Sequence, residues 1–136
     1  MSILPLTRDN FDTAVAQSAC LVIEFSNSAE DFADRAGRVM DSNGVEWGHV
    51  DMRTEARLAA SFGIETDVAL LIFREQIVLY LEGGKHDPAQ MADLVSRVCA
   101  LDMRVIKAEI EAQKQAELAL RMRRVCPTAR RGPMGG

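Results

Sequence analysis

Residues 68–84 read VALLIFREQIVLYLEGG. Two apolar runs, Val68–Phe73 and Ile77–Leu81, stand on either side of Arg74-Glu75-Gln76. Their lengths and their branched and aromatic side chains suit strands, and so short a connection cannot carry the chain back to the start of a parallel neighbour. The stretch therefore predicts an antiparallel hairpin, ended by Gly83-Gly84. Before it the chain alternates between helix and strand patterns; after it the pattern is helical throughout.

Upstream, Cys20–Phe25 (CLVIEF) is an apolar run broken by one acid, the pattern of a strand buried on both faces. Ser26-Asn27-Ser28 offers cap residues, Asp31 stands three after Ser28, and Phe32, Ala36, Val39 and Met40 form a helical stripe that ends near Ser42-Asn43-Gly44. Val45–Asp51 (VEWGHVD) is the next strand candidate, followed by a short helix with Leu58, Ala59 and Phe62 stopped at Gly63. This β-α-β order implies parallel strands. At the front, Thr7 caps a short helix with Phe11, Ala14 and Val15 on one face. Downstream, Asp87-Pro88 starts a helix along which Met91, Leu94, Val98, Leu101 and Val105 recur at steps of three and four. No Pro or Gly interrupts it before Cys126-Pro127, so one helix is expected to continue past the domain.

At 136 residues, 48% apolar and 26% charged, the chain accommodates one globular domain and an appendage. The expected division is a domain over 1–103, a helical extension over 104–125 and a disordered basic tail over 126–136. Residues 1–103 carry 17 acidic and 8 basic side chains against 3 and 8 in the rest, so a body of −9 bears a tail of +5. No apolar run is long enough for a bilayer span, and MSILPLTRDN lacks a signal-peptide pattern, so the cytoplasm is the expected compartment. Cys20, Cys99 and Cys126 are widely spaced and contain no C-x-x-C pair, which argues for a reducing compartment. With only His49 and His86 beside them, no metal site and no cofactor are expected. His49 reads as a sheet or core residue and His86 as a solvated loop residue.

The local sequence resembles the thioredoxin family. VDMRTEARLAASFGI (Val50–Ile64) is similar to the stretch that leads from that family's central strand through its third helix; VALLIF with IVLYLEGG resembles its closing hairpin, Gly84 at its glycine position; LVIEF resembles its active-site strand. The likeness covers about residues 5–101. It implies a thioredoxin fold, a central mixed sheet flanked by helices, here with an extended C-terminal helix. It departs at the chemistry. The segment FSNSAEDFADRA puts Glu30 and Ala33 at the family's two cysteine positions, Val68 at its cis-proline, and Glu24 at its buried acid. A trans peptide is expected at Asp67-Val68, since a non-proline cis bond costs about 2.5–4 kcal/mol.

Disulfide exchange needs a thiolate, and the helix N-terminus that would stabilise one carries Glu30 and Asp31 instead. The expected function is therefore that of a redox-inactive, thioredoxin-like adaptor, assembly chaperone or subunit rather than an enzyme. Two surfaces are candidates: the rim formed by Ser26, Asn27, Ser28, Glu30 and Asp31 with Thr66, Asp67 and Val68, and the helix carrying Ile106, Ile110, Leu118, Leu120 and Met122. The expected partner is a protein, either another molecule or a second copy held through the C-terminal helix. Neither a membrane nor nucleic acid is expected, because the arginines from Arg121 onward have no interleaved aromatics. Two alternatives remain open. One is a single-cysteine oxidoreductase or transferase using Cys126, whose neighbours are Arg123, Arg124 and Arg130, or Cys20. The other is a homo-oligomerising module.

Overall fold

A computed structural model of the chain describes residues 3–39 and 45–125, the side chains of 122–125 excepted. The chain divides into two units, the first ending at Ala100 and the second beginning at Leu101. The basic tail and Cys126 lie outside the described residues.

The first unit contains β1 (Leu4–Leu6), α1 (Phe11–Gln17), β2 (Cys20–Ser26), α2 (Ala29–Ala36), β3 (Val45–Asp51), α3 (Ala56–Ser61), β4 (Ala69–Arg74), β5 (Ile77–Gly83) and α4 (Pro88–Ala100). The sheet runs in the order β1-β3-β2-β4-β5. β3 is parallel to both β1 and β2, whereas β2–β4 and β4–β5 are antiparallel. This is the thioredoxin fold, a mixed sheet between helices. β1 was not evident in the sequence, because three residues with Pro5 at their centre show no periodicity. Proline is tolerated there because β1 is an edge strand.

β2 lies between β3 and β4, and all seven of its residues are buried. Alternation along it separates two cores. Leu21, Ile23 and Phe25 pack with Phe11 of α1 and Ala59 of α3. Cys20 and Val22 pack with Phe32 and Ala36 of α2 and with Met91, Val95 and Val98 of α4. By the same parity Glu24 and Ser26 face α2, which fixes where the polar groups of this strand go.

The helical pattern from Pro88 is not one helix. α4 stops at Ala100, and α5 (Met103–Val125) forms a separate helix in the second unit. Asp102 makes the break: its Oδ1 accepts from the Arg104 amide at 3.0 Å, and its carbonyl accepts from Val105 and Ile106 at 3.1 and 3.2 Å. Apolar spacing runs through such a junction unchanged, whereas an aspartate that bonds the following amides starts a new helix there.

The hairpin turn is tighter than its sequence suggests, with Glu75 and Gln76 alone outside the strands. Both have positive φ, 51° and 70°, the geometry of a two-residue turn that normally selects Asn-Gly. A side chain in this region is strained, and glycine is not. Gln76→Gly is expected to raise the free energy of unfolding by about 0.5–1 kcal/mol, read from urea denaturation.

Candidate functional site

Glu24 is 1% exposed in the central strand, and an isolated carboxylate at such a position would be strongly destabilised. Its partner is Arg35 of α2, whose Nη2 lies 2.7 and 2.8 Å from Glu24 Oε1 and Oε2. The same guanidinium donates through Nη1 to the His86 carbonyl at 2.7 Å and through Nε to Asp31 Oδ2 at 3.1 Å. Ser26 Oγ donates to Glu24 Oε2 at 2.9 Å and lies 2.8 Å from His49 Nε2. The serine's one proton is spent on Glu24, so His49 supplies the other hydrogen bond from Nε2–H. Burial pushes the His49 imidazole below its ordinary range, against the opposing pull of Glu24 and Asp51. Five side chains from β2, β3 and α2 thus form one network beneath the start of α2.

Above it, Ser28 caps α2 by accepting from the Asp31 amide at 3.1 Å. Asp31 is held below the usual carboxylate range by its hydrogen bond from Lys85 and by Arg35. Asn27, Ser28, Glu30 and Ala33 are exposed, as are Thr66 and Asp67, while Val68 is half-buried. Phe25 pairs with Ala69, so the chain leaving β2 and the chain entering β4 emerge side by side. The Val68 carbonyl accepts from Thr66 Oγ1 and from the Gly84 amide, both at 2.7 Å, and Gly84 adopts a φ of 103° that a side chain would resist. Among the described residues no peptide is cis, Asp67-Val68 included. A shallow groove of about 320 Å³ runs beside this loop, lined by Thr66, Ala69, Leu81 and Gly83 among others.

The rim differs from expectation in one member. Ser26, 4% exposed, turns inward because the parity of β2 points it at Glu24 and His49. His86 also differs: it is buried, with Nε2 2.8 Å from Tyr80 Oη and Nδ1 3.1 Å from the Gly84 carbonyl. Arg35 was missed altogether. A cation beside the Phe32–Ala36 stripe of a helix that follows a buried acid was the available signal.

On the second unit, Ile106 and Ile110 are half-buried and Leu118 and Leu120 are 56% and 50% exposed. Met122 belongs to α5, with its side chain outside those described. Cys20 is buried, and its thiol is pushed up to about 11 by burial and by Cys99. Among the described residues no group of three His, Cys, Asp or Glu side chains is placed to hold a metal, and no helix is long and apolar enough to cross a membrane.

A Streptomyces coelicolor protein assigned as thioredoxin 2 is 31% identical over 121 residues, covering 85% of this chain and 90% of its own. The chain belongs to the thioredoxin family. No protein-family model matches it. A mutant thioredoxin of Halobacterium salinarum shares the fold with a TM-score of 0.66 at 13% identity, covering 74% of this chain and 94% of that one. Chloroplastic thioredoxin z does so with a TM-score of 0.63 at 17% identity, covering 74% and 97%. The two kinds of match have different reach. The structural matches need no more than the thioredoxin unit, which is under three-quarters of the 136 residues, but a match to 85% of the chain must extend into α5. The likeness in sequence therefore runs beyond Leu101 into the residues of α5.

Two outcomes follow from the network. Arg35→Ala leaves Glu24 buried without a counter-charge and is expected to cost about 3–5 kcal/mol in urea denaturation. His49 titrates lower in the folded protein than its unfolded value of about 6.5, so the unfolded state takes up the proton first and stability falls as pH drops below that value. His49→Gln is expected to lessen the loss of stability between neutral and mildly acidic pH, measured by thermal melts of both proteins.

Proposed function

We propose that this thioredoxin-family chain acts by binding a protein partner, as an adaptor, assembly chaperone or complex subunit, without dithiol exchange at the end of β2. The observation that carries this is the Glu24–Arg35 pair. The resemblance puts Glu24 at the family's buried acid beside the dithiol. Here Arg35 takes both carboxylate oxygens, and Glu30 and Ala33 stand where the resemblance puts the two thiols. α2 begins with acidic groups at the position that would otherwise stabilise a thiolate.

The name of the Streptomyces relative favours a redox reading instead. Against a catalytic role for Cys20 stands its burial, which raises the thiol and removes it from substrate. Exposed Asn27, Ser28 and Glu30 beside Thr66 and Asp67 offer one polar contact surface; exposed Leu118 and Leu120 on α5 offer an apolar one. The net charges of the two parts, opposite in sign, favour an acidic protein surface for the second, which another copy of the chain would supply. Cytoplasm is the compartment that suits three cysteines without a disulfide framework.

Insulin-disulfide reduction driven by dithiothreitol is expected to proceed at the rate of the protein-free blank; sustained turnover above it would make the chain a reductase. Light scattering after gel filtration on the full chain and on Leu118→Glu/Leu120→Glu tests the α5 surface. If α5 joins copies, the mass exceeds 15.0 kDa and falls to that value in the variant. A single-chain mass for both rules out joining of copies through α5 and leaves a different protein as the partner to be sought.

A further inference from the structure

The face of β2 that carries Glu24 and Ser26 at one end carries Cys20 at the other, six residue steps and roughly 20 Å away. Cys20 pairs across the sheet with Arg74. Arg74 Nη1 donates to the carbonyls of Val98 and Cys99 at 2.7 and 3.2 Å, holding the last turn of α4 over the start of β2. Val98 packs in the same core cluster as Cys20, and Cys99, the next residue, is near enough to Cys20 for its side chain to act on the Cys20 thiol. Cys99 is exposed and Cys20 is 4% exposed. One thiol can meet a reagent in solution while the other waits behind it.

We propose that Cys20 and Cys99 form a reversible intramolecular disulfide, a redox-modification site for small-molecule disulfides at the end of the sheet opposite the α2 N-terminus. The accessible Cys99 thiolate attacks one sulfur of a disulfide such as oxidised glutathione. That S–S bond breaks, one glutathione leaves as thiolate and takes a proton from water, and Cys99 carries the mixed disulfide. Cys20 then gives its proton to solvent and attacks the Cys99 sulfur, releasing the second glutathione. Two protein thiols are oxidised and one glutathione disulfide is reduced to two thiols. The product fastens α4 to β2 covalently. Arg74, paired with Cys20 and bonded to the Val98 and Cys99 carbonyls, holds the two cysteines at the same end of the sheet, and that proximity gives the second step a high effective concentration.

The second step has a recognisable rate signature. Burial keeps Cys20 protonated at neutral pH, so its thiolate fraction, and with it the rate of closure, rises about tenfold per pH unit. The test uses the full chain carrying Cys126→Ser, so that Cys20 and Cys99 are the thiols present. After oxidised glutathione, intact mass is expected to show loss of two hydrogens and no retained glutathione. A non-reducing peptide map is expected to join the Cys20 and Cys99 peptides, and dithiothreitol to separate them. Closure is expected to be about tenfold faster one pH unit above neutral. In the Cys20→Ser form of the same protein the glutathione adduct should persist on Cys99. The proposal is overturned if Cys99 keeps its adduct with Cys20 intact, if the disulfide joins two chains, or if the folded protein does not react. These readings come from the Cys126→Ser protein itself, so they hold even where Cys20→Ser fails to fold. They count one turnover per chain, so a protein inert toward insulin can still close this disulfide.

Discussion

A carboxylate in the middle of a fully buried strand sets the terms for everything around it. Glu24 cannot be hydrated, so its charge must be matched inside the protein with good geometry, or the strand is destabilised by several kcal/mol. Arg35 meets that demand from α2, and its remaining donors then fasten two further segments: Asp31 in the first turn of its own helix and the His86 carbonyl before α4. The start of α2, the end of β2 and the loop after β5 are thereby held by one guanidinium. Its planar fork suits this, because its five donors are spread over three nitrogens in fixed directions, whereas an ammonium gathers three on one atom. The rim that the fold presents at this end is the outer surface of that arrangement.

The elements legible in the sequence were those whose signal is local. β2 to β5 and the helices between them announce themselves by apolar runs, cap residues and short connections, and the hairpin over Val68–Leu81 fixed the antiparallel half of the sheet. The site was legible only in its outline. Glu24 stood out as an acid in an apolar run, but its partner lies eleven residues on in a helix whose charges all look solvated. His86 looked like a loop residue because nothing local reports that Tyr80 reaches it across the turn. Ser26 looked like a cap and proved to be an inward-facing member of the strand, a difference of one residue in where β2 ends. The break at Asp102 is not legible in the sequence, because periodicity measures which face is apolar, not whether the backbone bonds are continuous.

Comparison with relatives separates what the fold requires from what the chain adds. The two solved thioredoxins are themselves covered almost whole, yet match only 74% of this chain. The match to the Streptomyces relative runs into the residues of α5, so the sequence likeness is longer than the structural one. A helix with apolar side chains left in water is costly unless packing on something returns the area, and intrinsic propensity alone sustains one of this length only marginally. Packing of α5 against another protein would return that area.

The two ends of β2 differ because one parity rule acts on different residues. Every second side chain of the strand faces the α2 and α4 side, so Cys20, Val22, Glu24 and Ser26 share that face, with the apolar Val22 separating a thiol from a carboxylate network. At the Ser26 end the helix above contributes a guanidinium and two acids. At the Cys20 end the helix above contributes a second thiol. A one-residue shift of register would turn this whole set to the α1 and α3 side and bury Glu24 among Phe11, Phe62 and Phe73, away from Arg35. The requirement that Glu24 meet its cation therefore also fixes Cys20 beneath Cys99. In this chain the interaction that fixes the register at one end of the strand is what places Cys20 under α4 at the other.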